Sequence, residues 1–316
     1  MSLIVIKPSY LCDELIRNFA ALARALRLEE VVLQDAAVMA NSSYRRVVPA
    51  PGSTRETFDA LGILKVIHRR IKDKIFAKVQ FPDYLQGSVK HRDYVSNARK
   101  HTNQKILICE DVKKFFPSVQ AGNIEDVWCA FFGFSQPVAK LLTQLTTKDG
   151  SLPQGAITSS YLANLVLWRD EPLLHAKMGQ KGITYSRYVD DMVMSSKTHL
   201  TKSEQKWAIA QVYGMLRKNG LCASRKKHKI FSATMPMIAT KLIVNRKPSL
   251  PRRKRSQVRA QVRQLEQSFS TTNTPEKLTD LSNKASQRVG QLGRFHPNEA
   301  SKLRNRIKAV REILPK

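Results

Sequence analysis

Apolar positions in this chain follow two rhythms. Leu11, Leu15, Phe19, Leu22 and Leu26 recur at helical spacing behind Ser9, a suitable cap, and predict a first helix. Leu64, Ile67, His68 and Ile71 draw a second helical face, with Lys65, Arg69 and Arg70 outward. Ser159 to Leu174 and Leu200 to Asn219 predict two further helices, the latter closed by Gly220. Strands are signalled differently. Ile106 to Cys109 is apolar without alternation, as in a strand buried on both faces, and it ends in Glu110-Asp111. Ile183 to Val189 and Met192 to Ser195 flank Asp190-Asp191, which reads as strand, tight turn, strand. Tyr44 to Thr57 reads as a basic hairpin around Pro49-Ala50-Pro51-Gly52, carrying Arg45, Arg46 and Arg55.

After Asn245 the pattern changes. Pro248 and Pro251 mark a linker. Val258, Val262, Leu265 and Phe269 then form one helical stripe, with Arg252, Arg255, Arg259 and Arg263 largely off it. Thr274-Pro275 opens a second helix and Pro297 a third, whose Leu303, Ile307 and Val310 face inward. Residues 246–316 hold 18 Lys and Arg against 5 acids, so these helices carry a concentrated basic face.

Charge sharpens the picture. The 316 residues carry 54 Lys and Arg against 25 Asp and Glu, a net charge of +29, which implies a polyanionic partner. Nucleic acid is the first candidate and an acidic membrane surface the second. No apolar run approaches the ~20 residues needed to span a bilayer, so no membrane partner is expected. Ile4-Val5-Ile6 is too short for a signal peptide and is broken by Lys7-Pro8, while Asp13 and Glu14 argue against a transit peptide. Cysteines 12, 109, 129 and 222 form no Cys-x-x-Cys pair, which suits a reducing cytoplasm better than a zinc site or a disulfide frame.

Asp190 and Asp191 are the candidate chemistry. Two adjacent carboxylates at a hairpin tip repel and need a compensating charge. Magnesium, hard and oxygen-seeking, supplies it and readily keeps phosphates as its other ligands. Asp-Asp is also ordinary turn chemistry, so the pair needs support from elsewhere. A third acid at the exit of the buried strand provides that support. Alternation sends Glu110 and Asp111 to opposite faces, and parity alone does not choose between them.

Asp111 with Phe115-Phe116-Pro117-Ser118 resembles motif A of reverse transcriptases. Leu152-Pro153-Gln154-Gly155, Thr158-Ser159 and Leu162-Ala163-Asn164 resemble motif B, and Tyr188-Val189-Asp190-Asp191 resembles motif C, in the family's order. The resemblance implies an α+β right-hand polymerase, with an antiparallel palm sheet backed by helices, fingers and a helical thumb. It divides the chain into an N-terminal helical segment (1–40), mainly fingers (41–104), a palm with interleaved fingers elements (105–245) and a basic three-helix thumb (246–316). It gives the metal-facing role to Asp111 and leaves Glu110 a bystander. Asp111 and Asp190 would bridge two magnesium ions about 3.5–4 Å apart, with Asp191 the weaker ligand. Phe116 would sit against the sugar of the incoming deoxynucleoside triphosphate and exclude a 2′-hydroxyl. Gln154 and Gly155 would line the nucleotide, and Arg55 would meet its triphosphate. Arg225-Lys226-Lys227 resembles motif D, whose lysine attends the leaving pyrophosphate; Lys226 and Lys227 both fit. Arg252, Arg255, Arg259 and Arg263 would grip the phosphates of a template–primer duplex.

The resemblance runs over residues 40 to 316 and leaves no length for an RNase H, integrase, endonuclease or maturase domain, which points to bacterial retron-type enzymes. Asn97-Ala98-Arg99-Lys100-His101 fits the Asn-Ala-x-x-His signature of that group, which implies RNA contacts for Asn97 and His101. Three departures stand out: Ala239-Thr240-Lys241 where Val-Thr-Gly is usual, Ile157 and Ser160 where prolines are common, and Val189 in place of alanine. A retron enzyme implies a cognate structured non-coding RNA, priming from a guanosine 2′-hydroxyl, a branched RNA–DNA product and a role in phage defence with an effector protein. A group II intron-like or other defence-associated reverse transcriptase is the alternative within the family. A non-catalytic RNA-binding protein with a polymerase fold is the alternative outside it.

Overall fold

The computed structural model describes residues 4–12, 14–49, 55–270 and 275–313. Ser9–Tyr10 form strand β1, and helix α1 covers Phe19–Leu26 only. Asn18, not Ser9, caps it: Asn18 Oδ1 accepts from Ala21 N at 2.8 Å. The chain before Asn18 is drawn off by β1, so Leu22 and Leu26 are buried while Leu11 and Leu15 stay exposed. Helix α2 spans Glu30–Val38. Strands β2 (Tyr44–Val47) and β3 (Thr57–Ala60) are the sides of the basic hairpin, in register from Tyr44↔Ala60 to Val47↔Thr57. Its turn, residues 50–54, lies outside the described residues. Helix α3 (Gly62–Lys74) buries Leu64, Ile67, His68 and Ile71, the face its spacing predicts. Strand β4 (Val79–Gln80) pairs with β1, and helix α4 (Tyr94–Lys100) is capped by Asp93, whose Oδ1 accepts from Val95 N and Ser96 N.

Strand β5 (Ile106–Asp111) is buried through its apolar residues, as expected. Helices α5 (Phe115–Ser118), α6 (Ala121–Asp126) and α7 (Gln136–Thr146) follow. The single helix expected over 159–174 is two: α8 (Ser159–Leu165) and α9 (Glu171–Gln180). Pro172 explains the break, because it has no N–H to donate and is tolerated in the first turn of a helix rather than its interior. Strands β6 (Ile183–Tyr188) and β7 (Asp191–Ser196) form the predicted hairpin. Helix α10 (Lys202–Lys218) is opened by a Thr201–Glu204 capping box and followed by Gly220 at φ +71. Strand β8 (Lys229–Ser232) completes an antiparallel sheet in the order β6–β7–β5–β8.

Strands β9 (Ile238–Ala239) and β10 (Leu242–Ile243) form a small hairpin whose two loop residues, Thr240 and Lys241, have φ +43 and +70. Such a turn favours glycine or asparagine, so Lys241 sits in a backbone region costly for its side chain. Helices α11 (Arg252–Ser270), α12 (Pro275–Gly293) and α13 (Pro297–Ile313) then pack together around Val258, Val262, Leu265, Val289, Leu292, Leu303, Ile307 and Val310. That core is separate from the large one beneath the sheet. Thr274 and the Phe269 side chain lie outside the described residues. Among the described residues, no helix is long and apolar enough to cross a membrane.

Candidate active site

Asp111 ends β5 and Asp191 begins β7, and the two are direct cross-strand partners. Paired residues on antiparallel strands project from the same face, with Cβ atoms about 4.5–5.5 Å apart. Asp190 lies in the turn beside them, after Val189 at φ +59. Val112 N donates to Asp190 O at 3.1 Å, tying that turn to the exit of β5. Glu110, one residue back, takes the opposite face. Its Oε1 lies 2.6 Å from His228 Nδ1, and Tyr213 Oη donates to its Oε2 at 3.2 Å. The strand register thus makes the choice that parity left open.

The acidic trio is charge-frustrated. Asp111 is 4% exposed; burial raises its carboxyl above the ordinary range against the pull of Lys227. Asp191 is pushed up to about 6, first by burial and then by the charges of Asp190 and Asp111. Lys227 Nζ donates to Asp111 Oδ2 at 2.7 Å, whereas Asp111 Oδ1 is buried without a hydrogen-bond partner. Lys227 and not Lys226 therefore faces the aspartates. A buried, unpartnered carboxylate oxygen among hard donors of excess negative charge fits a divalent cation. Among the described residues, no three or more acidic, histidine or cysteine groups enclose a metal by themselves. The arrangement suits an ion that draws its remaining ligands from phosphate or water.

The support under this tip was not anticipated. Arg187 is 0% exposed and Glu171 1%. Arg187 Nε donates to Glu171 Oε1 at 2.6 Å and Nη2 to Oε2 at 2.8 Å. The same guanidinium donates to Asn164 O at 2.9 Å and to Val189 O at 3.1 Å. It therefore joins the end of α8, the start of α9 and the Tyr188–Asp191 turn. Alternation along β6 held a signal: Ile183, Tyr185 and Arg187 share a face, so an arginine was aimed at the core and required a buried acid. Gly87 seals the same region, since a Cβ there would lie 2.5 Å from Val189 N.

Of the nucleotide candidates, Phe116 packs partly buried against Phe115, ring centroids 5.9 Å apart, with Phe115 in the core. Gln154 O accepts from Phe58 N at 2.8 Å, so the loop is pinned to β3. Gly155 has φ +108, and a Cβ on it would meet Phe58 O at 2.8 Å, so this close approach requires glycine. Arg55 is exposed on the run into β3. Along α11, Arg252 and Arg263 are exposed, but Arg255 and Arg259 both bind Glu299 of α13 and brace α11 against α13.

Asn97 and His101 require correction. Both are 0% exposed and their polar atoms bond within the protein, so neither offers a surface to RNA. Burial holds His101 down to about 3 and His68, also buried, to about 4. Both folded values lie below the unfolded histidine value, so the stability they contribute is complete above pH ~6.5 and is lost as pH falls toward them. Asp191 acts in the opposite sense below pH 6, because its folded value is raised. The net expectation in chelator is a loss of about 2 kcal/mol in unfolding free energy between pH 7 and 5. Urea unfolding at the two pH values measures it, and equal or greater stability at pH 5 contradicts it.

The sequence has known relatives. Residues 50–270 fit the family profile described as reverse transcriptase (RNA-dependent DNA polymerase). The chain belongs to the reverse transcriptase family. The Retron Se72 reverse transcriptase of Salmonella heidelberg is 29% identical over 307 residues, 95% of this chain and 80% of that one. The Retron Ec48 reverse transcriptase of Escherichia coli is 27% identical over 86% of this chain and 70% of its own length. The Retron Ec86 enzyme of Escherichia coli is 26% identical over 63% of this chain and 61% of its own. The protein is thus an RNA-directed DNA polymerase of bacterial retron type. Among solved structures, telomerase from Candida albicans, in complex with a fragment of telomeric RNA, aligns at TM-score 0.43 and 10% identity, over 78% of this chain and 53% of that one. Apo telomerase from Candida tropicalis aligns at TM-score 0.40 and 10% identity, over 60% and 44%. The enzyme spans about half the length of those chains.

Proposed function

We propose that this reverse transcriptase copies part of a cognate structured non-coding RNA into DNA, yielding a branched RNA–DNA product. One observation carries the chemistry: Asp111 and Asp191 are paired across the sheet with Asp190 in the adjoining turn. Asp111 and Asp190 are assigned as the principal ligands of two magnesium ions, and Asp191 as the weaker one. Bound there, the ions would neutralise charge on the attacking oxygen and on the leaving phosphate of an in-line displacement. The chain's own groups do the rest. Lys227 is placed to move from Asp111 to the pyrophosphate. Phe116 bears on the sugar and favours deoxynucleotides, Gln154 and Gly155 shape the nucleotide floor, and Arg55 meets the triphosphate. In this reading the four-stranded sheet is the palm (105–245), the basic hairpin and α3 belong to the fingers (41–104), α11–α13 form the thumb (246–316), and α1, in the N-terminal helical segment (1–40), packs on the body. Arg252 and Arg263 reach duplex phosphates. The RNA is read by shape and single-stranded loops. We place the enzyme in the cytoplasm, where its four unpaired cysteines stay reduced, acting with an effector protein in phage defence.

The test is incorporation of deoxynucleotides on an RNA template with magnesium, together with sequencing of the nucleic acid that co-purifies from the host. The expected results are RNA-templated DNA synthesis and one enriched structured RNA joined to DNA. Synthesis that depends on a DNA template, or no synthesis, would refute this reading.

A further inference from the structure

Asn97 and His101 belong to a chain of hydrogen bonds whose direction can be worked out. Ser186 Oγ, on β6, lies 2.6 Å from Asn97 Oδ1 and 2.7 Å from His101 Nε2. A carbonyl oxygen only accepts, so the single hydroxyl proton of Ser186 goes to Asn97. His101 must then donate from Nε2 and accept at Nδ1, where Ser195 Oγ of β7 stands at 2.7 Å. Neutral imidazole meets both demands at once, and burial keeps it neutral. Asn97 Nδ2 continues the chain to Thr240 Oγ1 at 3.5 Å, and Thr240 Oγ1 donates to Tyr94 O at 3.0 Å. Both strands of the catalytic hairpin and the β9–β10 turn are thereby fastened to one short helix, α4.

The other end of α4 holds the C-terminal helices. Asp93 uses Oδ1 to cap α4 and Oδ2 to accept from Arg294 Nη2 at 2.7 Å. The Arg294 guanidinium lies over the Tyr94 ring, 5.4 Å from its centroid. Beside it, Phe295 is 8% exposed and joins a small apolar cluster with Val95 and Ala98 of α4, Leu107 of β5 and Val193 of β7. Arg294 and Phe295 form the corner between α12 and α13. The three-helix unit has its own core, so this corner is a point of attachment rather than part of that core.

We propose that α4 is a strut that sets the three-helix unit relative to the aspartates, and that Asn97, His101, Arg294 and Phe295 are positioning residues for grip on the template–primer duplex. The proposal rests on the polymerase reading above. Loss of the strut lets the basic helices swing away from the duplex while Asp111, Asp190 and Asp191 stay in place. It therefore shortens each binding event and spares the chemical step.

The experiment follows extension of a bound RNA template–primer in the presence of a trap that prevents rebinding. Phe295→Ala and His101→Gln are expected to shorten the DNA made per encounter about threefold or more, with the first-nucleotide rate on bound duplex within about twofold of native; their double variant should be no worse than the poorer single. Phe295→Leu should restore length. Arg294→Ala, at an exposed pair, tolerates substitution and should shorten products by a smaller factor. Amide exchange across residues 292–297 should rise in His101→Gln, a readout that needs no polymerisation and separates this inference from the functional reading. Unchanged exchange, unchanged product length, or a first-nucleotide rate that falls in step with length overturns it.

Discussion

Asp190→Asn is expected to lower the rate of deoxynucleotide incorporation on an RNA template about 10³-fold, equivalent to about 4 kcal/mol of barrier, while the protein remains folded. Asparagine keeps the shape of the side chain and removes its charge. The turn does not depend on that carboxylate, because it is held through backbone oxygens, by Val112 N on Asp190 O and by Arg187 on Val189 O. Under the proposed function, the loss is that of an anionic ligand where phosphate charge shifts during transfer. The substitution also relieves a repulsion, since the Asp190 charge is the largest cause after burial of the raised Asp191 carboxyl. Metal-free stability should therefore hold or rise as activity falls. Single-turnover incorporation with magnesium, paired with thermal unfolding in chelator, measures both. A loss under tenfold, or an equal loss explained by unfolding, would remove Asp190 from the site.

The tip was legible because its signals are local. Ile106 to Cys109 is an unbroken apolar run that suits a buried strand and ends in acid, and Asp190-Asp191 lies between two apolar segments of strand length. The choice between Glu110 and Asp111 was not local. It depended on which face β7 and α10 cover, and it was made by Asp191 on one side and by Tyr213 and His228 on the other. Lys226 and Lys227 were indistinguishable for the same reason. Helix ends failed where tertiary pairing overrode spacing. Leu11 and Leu15 keep helical periodicity with Leu22, yet Ser9 and Tyr10 are held by Val79 and Gln80, some 70 residues away. His101 was misplaced because nothing near it reveals its burial. Its two partners, Ser186 and Ser195, are 85 and 94 residues distant. The β9–β10 turn shows a local rule broken outright: Thr240 and Lys241 both take positive φ without a glycine, and the Thr240 bond to Tyr94 O helps hold them there.

Glu171→Gln is expected to destabilise the protein by about 3–5 kcal/mol, because it strands the Arg187 charge in a water-free interior. Both side chains are essentially unexposed, so solvent screening does not soften the loss. Glu171 also accepts from Tyr185 Oη at 2.7 Å, which adds a third donor left poorly satisfied. Replacing both members, Arg187→Met with Glu171→Leu, should recover most of that stability, since apolar side chains of similar volume remove the stranded charge as well as the pair. Activity should not recover with it. Arg187 Nη1 donates to Val189 O, and Val189 carries φ +59 between Tyr188 and the aspartates. Methionine cannot make that bond, so the turn loses a constraint on a strained residue, and incorporation should stay about tenfold or more below native. Urea unfolding at matched slope gives the stabilities, and incorporation at saturating nucleotide gives the rates. A double variant that regained both would reduce Arg187 to a packing element. One that regains stability alone assigns it the second task of holding the catalytic turn.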